Sequence, residues 1–388
     1  NMVLGGLLCF GFIGLLLTFY YLDTKQSGDP GITTEIAVIY SYIIGVLIAT
    51  NLIPVQLTVA ITVVLVLLMS RKEKIKDLIS GINRYEINAF VSFAILSLVI
   101  LPFLPNQTFA LSDMGNIGPL LSNLGLNNNQ ILDLELFNPF KLWFIVVLIT
   151  GVDLLGYLLE RTIGQKRGWL VTSLVGGFVS STATTISIAQ ESKKAKNINP
   201  LLAAAILANL VSFIPIGLLL ISLNPVLFTN FLPILGVLIL VSLSIGIYFL
   251  KQESIQKKTK IAASTVGADH KIFDLVAALK FTGIYLVINL VSKIAIEFLG
   301  TGGFFATTGI GALTGVDAVV INTAQLVGSR IDIITGVWAL LLANTVNLLA
   351  KSVYSFVQGS RAFAIRFFIS MLVIIIASLI AGGFRALI

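Results

Sequence analysis

Two clusters of polar residues interrupt long apolar runs in this sequence, and their residue types could bind an ion or a small solute. In the first cluster, Gly176 and Gly177 precede a set of hydroxyl side chains. These hydroxyl residues are Ser180, Ser181, Thr182 and Thr184. Glycine favours a break in a helix, and the free N–H groups of a new helix start attract an anion or water. The pattern therefore predicts a half-helix start, and close packing of small residues between helices is the alternative.

The second cluster carries an acid, Asp317, in an apolar segment that also contains Gly311 and Gly315. A carboxylate at membrane depth is costly, so Asp317 is a candidate cation ligand or proton carrier, and it is the one candidate metal ligand. Asn322 follows on the same segment and offers an amide oxygen that could complete a site. The alternative role for Asp317 is a cap at a helix N-terminus.

An internal repeat relates the two clusters. Sliding the sequence along itself by 135 positions aligns residues 176–211 with residues 311–346, and Asp317 then falls opposite Thr182. The polar matches are Gln190 with Gln325 and Asn209 with Asn344. Composition bias explains matching amides poorly, so we predict that two units share one fold. Chance matching between helices rich in Leu and Ala is the alternative.

Further polar residues in or beside apolar runs are candidates for the same site. The amides of Asn209 and Asn344 suit a pore or a weak ion site, or else hydrogen bonds between helices. The secondary candidates are Glu35, Asp153, Gln190, Gln325, Asn347 and Lys351.

The elements that must position these residues are membrane helices. The chain has 388 residues, of which 57% are hydrophobic and 11% charged, which excludes a water-soluble globular protein. Its net charge of +7 is expected in loops on the cytoplasmic side and does not indicate nucleic-acid binding. One cysteine, Cys9, and one histidine, His270, exclude a disulfide framework and most hydrolase and zinc chemistry. No nucleotide-binding motif occurs, so ATP-driven pumping is not expected. We also predict no cofactor and no enzymatic activity.

The apolar runs and the positions of Lys and Arg predict the topology. Twelve runs are long enough to span a membrane, but twelve spans would leave Lys and Arg evenly divided between the two sides. If the segment at 168–190 enters and leaves on one side, most Lys and Arg residues become cytoplasmic. A second re-entrant segment at 303–327 barely changes this distribution and is predicted from the symmetry of the repeat. We therefore predict an all-α polytopic membrane protein with about ten transmembrane helices and two re-entrant hairpins. Each unit then crosses an odd number of times, which makes the C-terminal half an inverted repeat.

Several stretches resemble the MgtC/SapB family of bacterial inner-membrane proteins, specifically members with a long C-terminal membrane domain. They are DPGITTE at 29–35, GGFVSSTATTISIAQ at 176–190, GVDAVV at 315–320 and LANTVN at 342–347. The resemblance covers residues 28–355 approximately. It implies a multi-pass protein of the bacterial inner membrane and a link to magnesium. Relatives carry a further acid where this chain has Gly315, and their Gly-Leu-Arg-Thr block is absent here.

The resemblance and the repeat together predict the domain organisation. The predicted segments are MgtC-like helices at 1–105, an extracytoplasmic loop at 106–137, repeat unit 1 at 138–250, a basic cytoplasmic linker at 251–271 and repeat unit 2 at 272–388. The chain begins with Asn and its first apolar run starts at Met2, so we expect that N-terminal sequence is missing.

These observations favour a transporter or channel for a small ion or solute, with Mg²⁺ or another cation or a proton suggested by the resemblance. The expected partners are the lipid bilayer and the transported species, and a homo-oligomer is allowed. A non-transporting regulatory protein that binds another membrane complex is the main alternative. An intramembrane aspartyl protease using Asp153 and Asp317 is a remote one, because Gly-Val-Asp occurs at both positions but the other protease signatures are missing.

Overall fold

The computed structural model describes residues 2–27, 33–49, 84–110, 135–163, 169–253 and 275–387. The predicted span at 52–70 lies outside these residues, as do most of the predicted extracytoplasmic loop and most of the basic linker. Of the candidate residues, Glu35 falls within a described helix, but its side chain is outside the described part.

Helices account for nearly all of the described residues. In chain order they are α1 (Met2–Ser27), α2 (Thr33–Ala49), α3 (Arg84–Ala94), which continues as a π-helix (Ile95–Ile100), α4 (Leu101–Phe103), α5 (Pro139–Ile163), α6 (Trp169–Glu191), α7 (Asn199–Val211), α8 (Phe213–Leu223), α9 (Pro225–Glu253), α10 (Leu275–Thr314), α11 (Val316–Leu326), α12 (Ile333–Gln358) and α13 (Arg361–Leu387). Two short antiparallel strands, β1 (Phe109–Ala110) and β2 (Glu135–Phe137), lie between α4 and α5.

Seven helical segments of the described chain are long and apolar enough to cross a membrane. They are Glu86–Phe103, Pro139–Leu159, Asn199–Leu223, Pro225–Gln252, Leu275–Thr314, Ile333–Gln358 and Arg361–Phe384. In lipid every backbone polar group needs an internal partner, which continuous helices provide. The chain is therefore an all-α, multi-pass membrane protein, as the composition predicts.

The described chain divides into two compact units, Asn1–Arg84 and Tyr85–Ile388. In the first unit, the ring of Phe12 on α1 stacks on that of Tyr42 on α2, with 4.4 Å between centroids. The second unit contains all of the remaining helices and every candidate residue except Glu35. Its core is formed mainly by α7, α8, α9, α11, α12 and α13.

Helix α6 is broken at Ser180, whose backbone is extended (φ −159°, ψ 96°). A Cβ built on Gly176 would lie 2.8 Å from Thr184 Oγ1. Residues eight apart in a straight helix are separated by about 12 Å, so the chain folds back on itself at the break. The first half of α6 also packs closely on α7, because a Cβ on Gly177 would lie 2.3 Å from the main-chain oxygen of Ala208.

The second repeat contains the same break. Helix α10 first reverses at Gly300, which has a positive φ of 62°, and then ends at Thr314. Extended Gly315 separates it from α11. A Cβ built on Gly311 would lie 3.0 Å from Val319 Cγ2, so the chain folds back here as well. Ser180 and Gly315, hereafter the first and second breaks, are 135 positions apart, which is the spacing of the repeat in the sequence.

Candidate functional site

The buried side chain of Lys351 connects the two repeats. Lys351 lies on α12 and is only 1% exposed. Its ammonium donates hydrogen bonds to Ser181 Oγ at 2.7 Å and to Asn209 Oδ1 at 2.8 Å, both in the first repeat. Bonds from an ammonium to neutral acceptors are charge-assisted and stronger than neutral ones. We call the group formed by Lys351, Ser181, Asn209 and Asp317 the central site.

Hydrogen bonds at and near the first break position Ser181 and Asn209, the two residues that accept hydrogen bonds from Lys351. Ser180 Oγ accepts a hydrogen bond from the main-chain N–H of Ala183 at 3.3 Å, so Ser180 caps the half-helix that begins with Ser181. Asn209 is fully buried, and its Nδ2 donates to Thr185 Oγ1 at 3.1 Å and to the Ala205 carbonyl at 2.7 Å. With its amide nitrogen held in this way, the oxygen of Asn209 is left to accept from Lys351.

Asp317 supplies the negative charge of the central site. It is half-buried in the first turn of α11, immediately after the second break, and its charge acts on the Lys351 ammonium from beyond ion-pair distance. The described residues contain no group of three His, Cys, Asp or Glu placed to hold a metal ion. One carboxylate beside a lysine cation is a poor fit for Mg²⁺, which prefers several oxygen ligands and repels a neighbouring cation.

Two further candidates are buried polar groups that lack hydrogen-bond partners among the described residues. Thr184 is 1% exposed with an unpartnered Oγ1, and Asn344 is 2% exposed with both side-chain polar atoms unpartnered. Burying such groups without partners costs about 1–3 kcal/mol each. A bound ligand or water would recover this cost. Thr182 lies beside Ser181 and is half-buried.

Asn322 belongs to a different polar group from Asp317. Its Nδ2 donates to Ser292 Oγ at 2.9 Å, and its Oδ1 accepts from Asn289 Nδ2 at 2.9 Å. Ser292 in turn donates to Thr307 Oγ1 at 3.1 Å, so the group joins α11 to both halves of α10. Asn322 therefore holds α11 against α10.

Gln325 lines a polar cavity of about 410 Å³ at the end of α11. Its Oε1 accepts a hydrogen bond from the buried Tyr285 hydroxyl at 2.6 Å. The charged residues of the lining are Glu135, Lys141, Lys293 and Arg330. We call this space the polar cavity.

Three secondary candidates lie on α5, α6 and α12. Asp153 is exposed on α5, and Gln190 is exposed and donates to Gln358 Oε1 at 3.2 Å. Asn347 is half-buried on α12. The structure therefore brings together Ser181, Asn209, Lys351 and Asp317.

Sequence reasoning missed the polar side of α10. Asn289 lies four residues after Tyr285, and Ser292 and Lys293 lie three and four residues after Asn289, which places all four on one side of a helix. Each forms a hydrogen bond with another element or half-helix. This periodicity of polar residues in an apolar helix was the signal that could have identified them.

Fold and site together define a multi-pass, all-α membrane protein in which two broken helices contribute to one buried polar site. The family described as domain of unknown function (DUF4010) matches residues 147–359, which include both breaks and Lys351. This range is more than half of the chain, so the protein belongs to that family. No curated protein and no solved structure matches the chain. The MgtC/SapB resemblance stays a prediction.

Proposed function

We propose that the chain is a transporter or channel for a small ion or solute and that the central site lies on its route. The observation that carries this proposal is the pair of opposite charges, Lys351 and Asp317, held beside two helix breaks in a segment of apolar helices. Ionisable groups at membrane depth are expensive and typically mark ion or substrate pathways.

We further propose that both broken helices are re-entrant hairpins that meet near the middle of the bilayer. Their fold-back geometry supports this arrangement, as does the positive-inside distribution of Lys and Arg. Inverted repeats with broken helices are a common transporter plan, and their substrate sites lie at the interface between repeats. In this chain the bonds of Lys351 cross that interface.

The resemblance to MgtC/SapB proteins supports a location in the bacterial inner membrane. It also suggests Mg²⁺, but the single carboxylate and the neighbouring lysine favour a proton, a small anion or a neutral solute over a divalent cation. No enzymatic step is proposed, because Asp317 lies beside a lysine and not beside a second acid in the described residues.

Reconstitution tests this function. Purified full-length protein is placed in liposomes, and charge movement and internal pH are recorded after concentration jumps of Mg²⁺, Na⁺, K⁺, H⁺, chloride and inorganic phosphate. The test variant is Lys351→Met with Asp317→Asn, which removes both charges and leaves the site neutral. The matched control, Lys280→Met with Glu191→Gln, removes one lysine and one acid outside the central site.

We expect the wild type and the control to move at least one of these ions, and the neutral double variant to move it at least tenfold more slowly. Full flux in the double variant would show that the central site is not on the route. Folded wild-type protein that moves none of these ions would favour the regulatory alternative, which in addition predicts a membrane complex that co-purifies.

A further inference from the structure

We propose that the polar cavity is a binding site for a small oxyanion, meaning a ligand that carries a carboxylate or phosphate group. The proposal concerns a different place from the central site and stands whether or not the protein transports anything. It rests on the charges around the cavity, on the hydrogen-bond donors that face no acceptor, and on the cavity's size.

A buried lysine provides the main charge. Lys293 is only 8% exposed, and its ammonium donates one hydrogen bond, at 2.8 Å, to the main-chain carbonyl of Glu135. No carboxylate lies within ion-pair distance of Lys293 in the described part of the chain. An ammonium has three N–H donors, so two remain for a ligand. The Glu135 carboxylate acts on Lys293 from beyond ion-pair distance, and the charges of Arg330 and Lys141 oppose that of Lys293. A buried cation is costly unless it is paired, and an anion in the cavity would provide a direct partner.

Two more cations line the same cavity. Lys141 is exposed at the start of α5, and Arg330 lies in the turn between α11 and α12. Arg330 is partly offset by Glu297, whose carboxylate is 3.9 Å from its guanidinium. Glu135 is the one acid that lines the cavity among the described residues. Positive charge is therefore in excess, which attracts anions and opposes cations.

The neutral polar groups of the lining also offer donors. The Tyr285 hydroxyl donates a hydrogen bond to Gln325 Oε1. The Nε2 group of Gln325 is left as a donor without a partner in the described residues. Asn138 offers a ligand neither polar atom, because its Oδ1 accepts from the main-chain N–H of Lys141 and its Nδ2 donates to Asn106 Oδ1, each at 3.0 Å. Donors without acceptors match the oxygen atoms of a carboxylate or a phosphate.

The volume of about 410 Å³ lies within the range of small-molecule sites and exceeds what one bare ion needs. The structure has a larger cavity, of about 660 Å³, but its lining is mostly apolar and includes Ile284, Val287 and Ile310. Lys280 is the one charged residue lining that apolar cavity, which makes it a suitable control position.

Equilibrium binding to the purified full-length protein tests the proposal. Succinate and inorganic phosphate are titrated in separate arms by calorimetry at constant ionic strength, and magnesium chloride is the cation arm. The variants are Lys293→Met, Arg330→Gln and Lys141→Gln. Lys280→Met is the matched lysine control, and the neutral double variant Lys351→Met with Asp317→Asn tests whether the central site holds the anion instead.

We expect at least one oxyanion to bind the wild type, about tenfold to a hundredfold more weakly in Lys293→Met, and several-fold more weakly in Arg330→Gln and Lys141→Gln. The control and the neutral double variant should bind as the wild type does. If Lys293→Met fails to fold, the other two cavity variants decide the question. Absence of oxyanion binding to the wild type, unchanged affinity in the folded cavity variants, or loss only in the double variant would each overturn the proposal.

Discussion

The two broken helices share a backbone design but differ in the chemistry of their side chains. At the first break Ser180 caps a half-helix, and neutral hydroxyl groups follow it. At the second break Gly315 is uncapped and is followed by Asp317. Lys351, from the second repeat, bonds to the neutral residues of the first. Both charges of the central site thus belong to one repeat, and the other repeat supplies acceptors.

This difference teaches that the repeat preserves backbone geometry while single positions set the charge of each half. The break, the fold-back contact and the close packing of the next helix recur in both halves. The charged residues have no counterparts, because Thr182 stands opposite Asp317 and Ile216 opposite Lys351. Substitutions at matched positions can therefore separate backbone effects from charge effects.

Removing the acid alone should have the largest effect. Asp317→Asn removes the acid whose charge acts on the buried Lys351, which should lower the free energy of unfolding by up to about 3 kcal/mol. Thr182→Asn, at the matched position of the first repeat, should cost less than about 1 kcal/mol. Chemical denaturation in detergent micelles measures both. The double variant Lys351→Met with Asp317→Asn should recover most of the loss, and equal stability of Asp317→Asn and the wild type would contradict the assigned pairing.

Helix packing provides the next test. Gly177→Ala places a Cβ 2.3 Å from the main-chain oxygen of Ala208, so the helices must separate, at a cost of about 2–3 kcal/mol. At the matched position the chain already has an alanine, Ala312, which packs near Ala343. Ala312→Gly should cost only about 1 kcal/mol. Thermal unfolding of both variants measures the difference between the two losses of stability. Equal losses would contradict the close contact of the first half of α6 with α7.

Capping distinguishes the breaks more weakly. Ser180→Ala removes the acceptor for the Ala183 N–H and should cost about 1 kcal/mol. Gly315→Ala should change stability by less than about 0.5 kcal/mol, because Gly315 is extended and a Cβ there would meet open space. The same thermal assay compares them, and an equal loss at both positions would argue against a capping role for Ser180.

The smallest expected effect depends on pH. The Thr335 hydroxyl holds the pKa of the exposed Asp332 carboxyl, in the turn before α12, below its usual value of 3.8. A carboxyl whose pKa is lowered on folding stabilises the fold at pH values above its ordinary pKa of 3.8. This contribution is lost as the pH falls through the folded-state pKa. Asp332→Asn should therefore cost less than about 0.5 kcal/mol at pH 6 and nothing near pH 2. Asn197→Ala, at the matched position, should show no such dependence in thermal unfolding between these pH values.

The local features of the site could be predicted from sequence, because they depend on neighbouring residues. Glycines before a hydroxyl cluster predicted the first break, and the repeat predicted the second. The hydrogen bonds of Lys351 could not be predicted in this way. They join residues 170 and 142 positions apart and depend on how α6, α7 and α12 pack. Lys351 therefore appeared only as a secondary candidate on an amide-rich helix face.

Asn322 illustrates a second limit. It follows Asp317 by five residues, and such residues point about 140° apart around an α-helix. Asp317 therefore acts on Lys351, while Asn322 bonds to α10. Closeness in the sequence predicted that these two residues share a segment, but the helical periodicity determined that they belong to different groups.

The position of Lys351 also has a mechanical consequence. Its ammonium belongs to one repeat, and both bonded oxygens belong to the other, at 2.7 Å and 2.8 Å. If the repeats move apart by about 1 Å along these bonds, the contacts exceed hydrogen-bonding distance. The lysine therefore ties the two repeats together at this point. Any ligand that competes for Ser181 or Asn209 weakens these bonds, so occupancy of the central site and the contact between the repeats are coupled.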